Sequence, residues 1–114
     1  VAKERGVPLV DLNTASKQVY QALGVEKSKL ALLHIPAGTY PGQTAAIADN
    51  THFSAYGAYE MARCVVEGVR QGVPELAAFL TSDVTAFDPA HPDDPSKVVI
   101  VPSPYVKGEK PEGK

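Results

Sequence analysis

Apolar residues along this chain fall into separate stretches, each bounded by turn-forming residues. The first is Val7-Pro8-Leu9-Val10-Asp11-Leu12, lying between Gly6 and Asn13-Thr14. A short apolar run with such borders predicts a buried parallel strand. Asn13 or Thr14 can then cap a helix running through Val19, Tyr20 and Leu23 to Gly24. Ahead of the strand, Val1-Ala2-Lys3-Glu4-Arg5-Gly6 reads as the tail of a helix closed by a glycine, with no initiator Met. Helix, strand, cap and helix in that order predict an α/β fold.

A second short helix is predicted over Ser28 to Leu33. The two prolines and two glycines of Ile35-Pro36-Ala37-Gly38-Thr39-Tyr40-Pro41-Gly42-Gln43 then exclude regular structure. Ser54 is placed to cap the main helix, predicted from Ala55 to Gln71. Ala58, Met61, Ala62, Val65, Val66 and Val69 share one face, expected to pack on a core. Glu60, Arg63, Glu67 and Arg70 share the other, expected to meet water and form ion pairs. Gly72 closes this helix, and Pro74 opens a short one through Leu80.

Beyond Leu80 the chain is punctuated by Pro89, Pro92, Pro95, Pro102, Pro104 and Pro111. Val98-Val99-Ile100-Val101 is expected to form an edge strand or a packed extended arm. The expected organisation is a folded part over residues 1–81, a proline-rich extension over 82–106 and a disordered tail over 107–114. A buried parallel strand needs hydrogen-bonded neighbours and a helix layer on each face. No second convincing strand precedes the C-terminal region. The partners of the first strand are therefore expected upstream of this chain, and its uncovered apolar faces are expected to drive association.

Composition narrows the functional classes. The 114 residues carry a formal net charge of −2, without dominant or clustered basic residues, which argues against nucleic acid. No apolar run reaches the ~20 residues of a membrane-spanning helix. The single cysteine, Cys64, cannot form an internal disulfide and is expected to be a packing residue. No two of the three histidines have close metal-ligand spacing, so no metal is expected.

The sharpest chemical signal is Asp49-Asn50-Thr51-His52, between the Gly/Pro loop and the capped helix. A general base needs one ring nitrogen exposed and the other held by an acceptor. An aspartate three residues before a histidine on a turn can hold Nδ1–H and leave Nε2 free for a serine. The same spacing recurs in Asp88-Pro89-Ala90-His91, without a capped helix after it. There Asp88 reads as a turn former and His91 as an ordinary surface or packing residue. His34 and Tyr40 are weaker candidates. Both read first as packing or loop hydrogen-bonding residues, with contact to a bound substrate as the alternative.

The stretch from Asp49 through His52, Phe53, Ser54, Ala55, Tyr56 and Gly57 to Ala58 resembles the last signature block of the SGNH (GDSL-type) hydrolases. In detail it is most similar to the rhamnogalacturonan acetylesterase group, carbohydrate esterase family twelve. Val7 to Asn13 resembles that group's last sheet strand, Pro36 to Gln43 its loop before the histidine block, and Phe87 to Pro92 its C-terminal extension. The resemblance runs in order over residues 1 to about 95.

The resemblance implies the C-terminal portion of a three-layer αβα, flavodoxin-like sandwich with a parallel sheet. It implies deacetylation of pectic polysaccharide through an acetyl-serine, without a metal or organic cofactor. His52 would be the base and Asp49 its orienting acid. It also implies a secreted or periplasmic location, which the residues alone do not set. The family's Gly-Asp-Ser and Gly-x-Asn-Asp blocks, which carry the nucleophile and oxyanion donors, are absent from this sequence. None of Ser16, Ser28, Ser54, Ser82, Ser96 and Ser103 sits in a nucleophile-elbow context. The chain alone is thus expected to be inactive, its partners being the remainder of the esterase domain and an acetylated polysaccharide. The alternative is a non-catalytic module, derived from the esterase fold, that binds carbohydrate or protein.

Overall fold

The computed structural model describes residues 1–101. It is a mixed α/β structure with one two-stranded antiparallel sheet. Its elements are α1 (Ala2–Arg5), α2 (Leu12–Ser28), a 3₁₀ turn (Lys29–Ala31), β1 (Leu32–Ile35), β2 (Ile47–Phe53), α3 (Ala55–Gly72) and α4 (Pro74–Ala77). Among the described residues no helix is long and apolar enough to cross a membrane. The expected tail from residue 107 lies outside the described residues, as do the last residues of the expected extension.

The N-terminal helix is present, and Gly6 closes it in the left-handed conformation. The parallel strand expected over residues 7–12 is not. Val7 to Val10 form no ladder, and Val7 and Leu9 are exposed. A strand exists only where a neighbour takes up its N–H and C=O groups, and among the described residues nothing pairs with this segment. Val10 instead lies over α3 at Gly68, where a β-carbon would meet its side chain. The three-layer sandwich is accordingly not seen.

Asp11, rather than Asn13 or Thr14, caps α2. Its carboxylate accepts from the Thr14 N–H at 2.9 Å and from the Thr14 hydroxyl at 2.7 Å. The expected stop at Gly24 is a kink, with φ 70° and ψ 178°, after which helix resumes to Ser28. The helix expected over Ser28 to Leu33 is a single 3₁₀ turn leading straight into β1.

Helix α3 starts where expected, with Ser54 as its cap, and runs one residue past the expected end, so that Val73 rather than Gly72 closes it. The Ser54 hydroxyl accepts from the Gly57 N–H at 3.1 Å and donates to the Leu30 carbonyl at 2.6 Å. The Ser54 N–H reaches the Ala31 carbonyl at 3.1 Å. The start of α3 is thus tied to the 3₁₀ turn beneath it. A β-carbon on Gly57 would lie 1.9 Å from the Ala31 oxygen, so only glycine allows this approach.

The core joins α2 to α3 through Val19, Met61, Cys64 and Phe87, with Leu12, Ala15 and Leu23 packed around it. The buried stripe of α3 is therefore rotated from the expected one. Tyr56, Gly57, Glu60, Met61 and Cys64 are buried, while Ala58, Ala62 and Val65 are exposed. Two contacts cause the rotation: the close approach at Gly57, and coverage of the face expected to meet water.

That second face is crossed by the segment after Leu80. Arg63 pairs with Asp93, donates to the Ala86 carbonyl at 3.1 Å and stacks 4.5 Å from the Phe87 ring centre. Arg70 donates to the Val84 carbonyl at 2.9 Å, and Glu67 accepts from the Phe87 N–H at 3.2 Å. The Tyr56 hydroxyl donates to the Asp93 carbonyl at 2.7 Å. Only the Glu67–Arg70 pair, at 3.3 Å, matches the expected pairing along the helix. Residues 98–101 form no strand, and Val99 and Val101 are well exposed. The last short helix ends at Ala77, short of Leu80.

Glu60 is fully buried under this crossing. Its Oε2 accepts only a long bond from the Asp93 N–H, 3.4 Å, and Oε1 has no partner among the described residues. Burial, and then the neighbouring Asp93 charge, push its carboxyl up to about 7. Between the unfolded value near 4.5 and about 7 the folded state keeps a proton that the unfolded state has released. Stability should then be greatest below that window and fall as pH rises through it. The Tm is expected to drop by several degrees between about pH 5 and pH 8, and Glu60→Gln should flatten that drop. Parallel pH profiles of both proteins would contradict this account.

Candidate active site

The Asp49–His52 segment sits in β2 rather than on a free loop, at a break in the sheet register. Leu33 of β1 stands opposite Asp49, yet Leu32 stands opposite Phe53. Asn50, Thr51 and His52 have no counterpart and bulge out of the ladder. Their N–H groups lose the cross-strand acceptors that a regular strand would supply. Asp49 takes up two of the three: its Oδ1 accepts from the Thr51 N–H at 2.7 Å and the His52 N–H at 3.0 Å.

The other carboxylate oxygen, Oδ2, lies 2.7 Å from His52 Nδ1. The two backbone donors, His52 first, and then the imidazole lower the Asp49 carboxyl to about 2. Asp49 is therefore a carboxylate at neutral pH, able only to accept. The short contact places a proton on Nδ1, so in neutral His52 the lone pair is on Nε2. The His52 side chain is 72% exposed and that of Asp49 29% exposed, which leaves the ring accessible and its anchor half-covered. Chemically, this arrangement can take a proton at Nε2 and stabilise the resulting imidazolium.

A carboxylate held below its ordinary value supports the folded state above that value and ceases to as pH falls through the lowered one. The Asp49 side-chain carbon resonance should titrate near pH 2, below the ordinary 3.8, with the Thr51 and His52 amides following it. A midpoint near 3.8 would mean the three-donor cradle is not formed.

The second pair has the same side-chain contact, with His91 Nδ1 2.6 Å from Asp88 Oδ2. Spacing and the ring contact alone therefore do not separate the two. Their surroundings do. Asp88 accepts one backbone N–H, from Ala90 at 2.9 Å, in the turn role expected of it. Both side chains of that pair are largely exposed, 83% for His91 and 62% for Asp88, and the pair lies outside any strand.

His34 stands on β1 opposite Ala48, and its Nε2 is 2.8 Å from Asn50 Oδ1, within the bulge. Tyr40 is exposed on the loop between the strands, where its N–H meets Gln43 Oε1 at 3.2 Å. No described hydrogen bond ties Tyr40 to the dyad. Four serine hydroxyls are donated elsewhere: Ser16 to Asn13, Ser28 to Val25, Ser54 to Leu30 and Ser96 to Asp94. Among the described residues none is bonded to His52. Cys64 is buried in the core, and burial, then the Glu60 charge, raise its thiol.

Sequence reasoning did not foresee the His34–Asn50 bond or the burial of Glu60. The first depends on strand register, which single-strand patterns do not encode.

No family model matches the chain, and no solved structure matches it. Among curated proteins it is 41% identical over 75 residues to rhamnogalacturonan acetylesterase RhgT of Bacillus subtilis (strain 168). That match takes in 65% of this chain and 32% of the relative. The chain is thus related to an esterase, and the matched stretch spans about a third of that esterase's length.

Proposed function

We propose that this chain supplies the base and orienting acid, His52 and Asp49, of an SGNH-type carbohydrate acetylesterase acting on pectic polysaccharide such as rhamnogalacturonan. The serine nucleophile and oxyanion donors come from polypeptide outside these 114 residues. The observation that carries the reading is the ionised Asp49 carboxylate, cradled by two backbone N–H groups and bonded to His52 Nδ1. The related acetylesterase supports the substrate class.

In the proposed reaction the serine Oγ attacks the acetyl carbonyl carbon as its proton passes to His52 Nε2. Asp49 stabilises the imidazolium. The tetrahedral intermediate collapses, and His52 returns the proton to the leaving sugar oxygen. Water then attacks the acetyl-serine, losing its proton to Nε2. Acetate departs and the serine is reprotonated. Every transfer passes through Nε2 because Nδ1–H is held throughout. Tyr40, an exposed aromatic on a Gly/Pro loop, is placed in this reading against the sugar.

A second reading, a non-catalytic carbohydrate-binding module, is favoured by the absence of the Gly-Asp-Ser and Gly-x-Asn-Asp blocks. One experiment separates the two. The chain, alone and joined to a polypeptide bearing those blocks, is treated with a fluorophosphonate probe and assayed for acetate release. The chain alone should stay unlabelled, and the joined protein should be labelled at its Gly-Asp-Ser serine and release acetate. An adduct on one of this chain's own serines would overturn the missing-nucleophile account. A labelled joined protein that releases no acetate, beside saturable polymer binding by the chain alone, would leave the binding module.

A further inference from the structure

We propose that His34 is a positioning residue, which holds the Asp49–His52 bulge in place from the neighbouring strand through Asn50. The inference deepens the function proposed above and rests on it only for its kinetic arm. Bulged residues are the weakest part of a ladder, because the partner strand offers them no backbone bond. Asp49, the last residue in register before the bulge, restrains Thr51 and His52 from their own strand. Asn50 is the bulge residue whose side chain reaches outside, and its Oδ1 meets His34 Nε2 at 2.8 Å.

His34 itself is well fixed. It is part-buried in β1, in register with Ala48, next to the Leu33–Asp49 pair where the bulge opens. The bulge is thus restrained twice, by Asp49 from its own strand and by His34 from across the sheet. Asn50 Oδ1 can only accept, so His34 carries its proton on Nε2. That nitrogen is occupied by a protein partner, which argues against the substrate contact considered for His34. The Asp88–His91 pair has no such restraint among the described residues and is the more exposed of the two. It therefore serves as an internal control within the same chain.

The test uses the full 114-residue chain with nitrogen-15-labelled histidine, following the Nδ1–H protons of His52 and His91 by NMR. In His34→Ala the His52 proton should exchange with water about tenfold faster, the equivalent of one ordinary hydrogen bond, while the His91 proton is unchanged. Asn50→Ala should act the same way, and His34→Gln, whose amide can donate, should restore slow exchange. In the enzyme completed with the nucleophile-bearing polypeptide, His34→Ala should lower kcat about tenfold or more with KM nearly unchanged. The proposal is overturned by equal changes at both histidines, by no change at His52, by failure of the glutamine rescue, or by a rise in KM alone. Selective loss at His52 in a completed protein that releases no acetate would instead sink the proposed function and leave the positioning role standing.

Discussion

Replacing His52 with alanine is expected to lower acetate release by the completed enzyme about 10³–10⁴-fold, with KM little changed. The size follows from the number of proton transfers it removes. In the proposed reaction His52 Nε2 takes the serine proton, returns it to the sugar, and repeats the exchange with water. Asp49→Asn should cost nearly as much. Asparagine can offer an N–H toward Nδ1, which selects the tautomer with its proton on Nε2, where a base must be unprotonated. Asparagine also removes the ionised acceptor whose two backbone bonds, 2.7 and 3.0 Å, shape the bulge. His91→Ala is the matched control and should leave the rate within about twofold, because surface substitutions away from a site rarely matter. Initial rates on an acetylated rhamnogalacturonan settle the comparison. Equal losses at His52 and His91, or none at His52, would remove the dyad from the mechanism.

Gly57→Ala is expected to destabilise the fold by more than about 3 kcal/mol, beyond the ordinary range of overpacking. Overpacked cores usually relax by moving a side-chain end. Here the added carbon would meet main chain, 1.9 Å from the Ala31 oxygen and 2.7 Å from its carbonyl carbon. Relief requires α3 to lift from the 3₁₀ turn, which breaks the Ser54 bonds to Leu30 and Ala31. Because α3 begins directly after β2, the same shift displaces Phe53 and His52. Gly68→Ala should be milder, since its added carbon meets only the Val10 side chain. Denaturant unfolding of both variants checks the order. A Gly57→Ala protein as stable as the parent would show that α3 does not need this approach.

Local chemistry was legible in the residues alone. Ser54 as a cap, the start of α3, the closing Gly6 and the irregular Gly/Pro loop all follow from short-range preferences. The Asp49–His52 contact was also legible, because three residues of backbone bring the groups together wherever the segment lies. For the same reason Asp88–His91 makes the contact too, so spacing could not rank the two pairs. Residues 7–12 show the opposite limit. Their apolar run states that they can be a strand, but a strand is a relation between segments, and none of the described ones pairs with them.

The sequence by itself determined where α1 ends and α3 begins, which histidines have an aspartate within reach, and that the Gly-Asp-Ser and Gly-x-Asn-Asp blocks are absent. The tertiary structure alone decided which pair stands in a sheet bulge half-covered and tied to His34. It also decided that the charged side of α3 is covered, burying Glu60. The reason is physical: caps, turns and i to i+3 contacts are fixed by a few neighbouring dihedral angles. Register, burial and helix approach instead depend on groups far apart in the chain, whose meeting is set by packing as a whole.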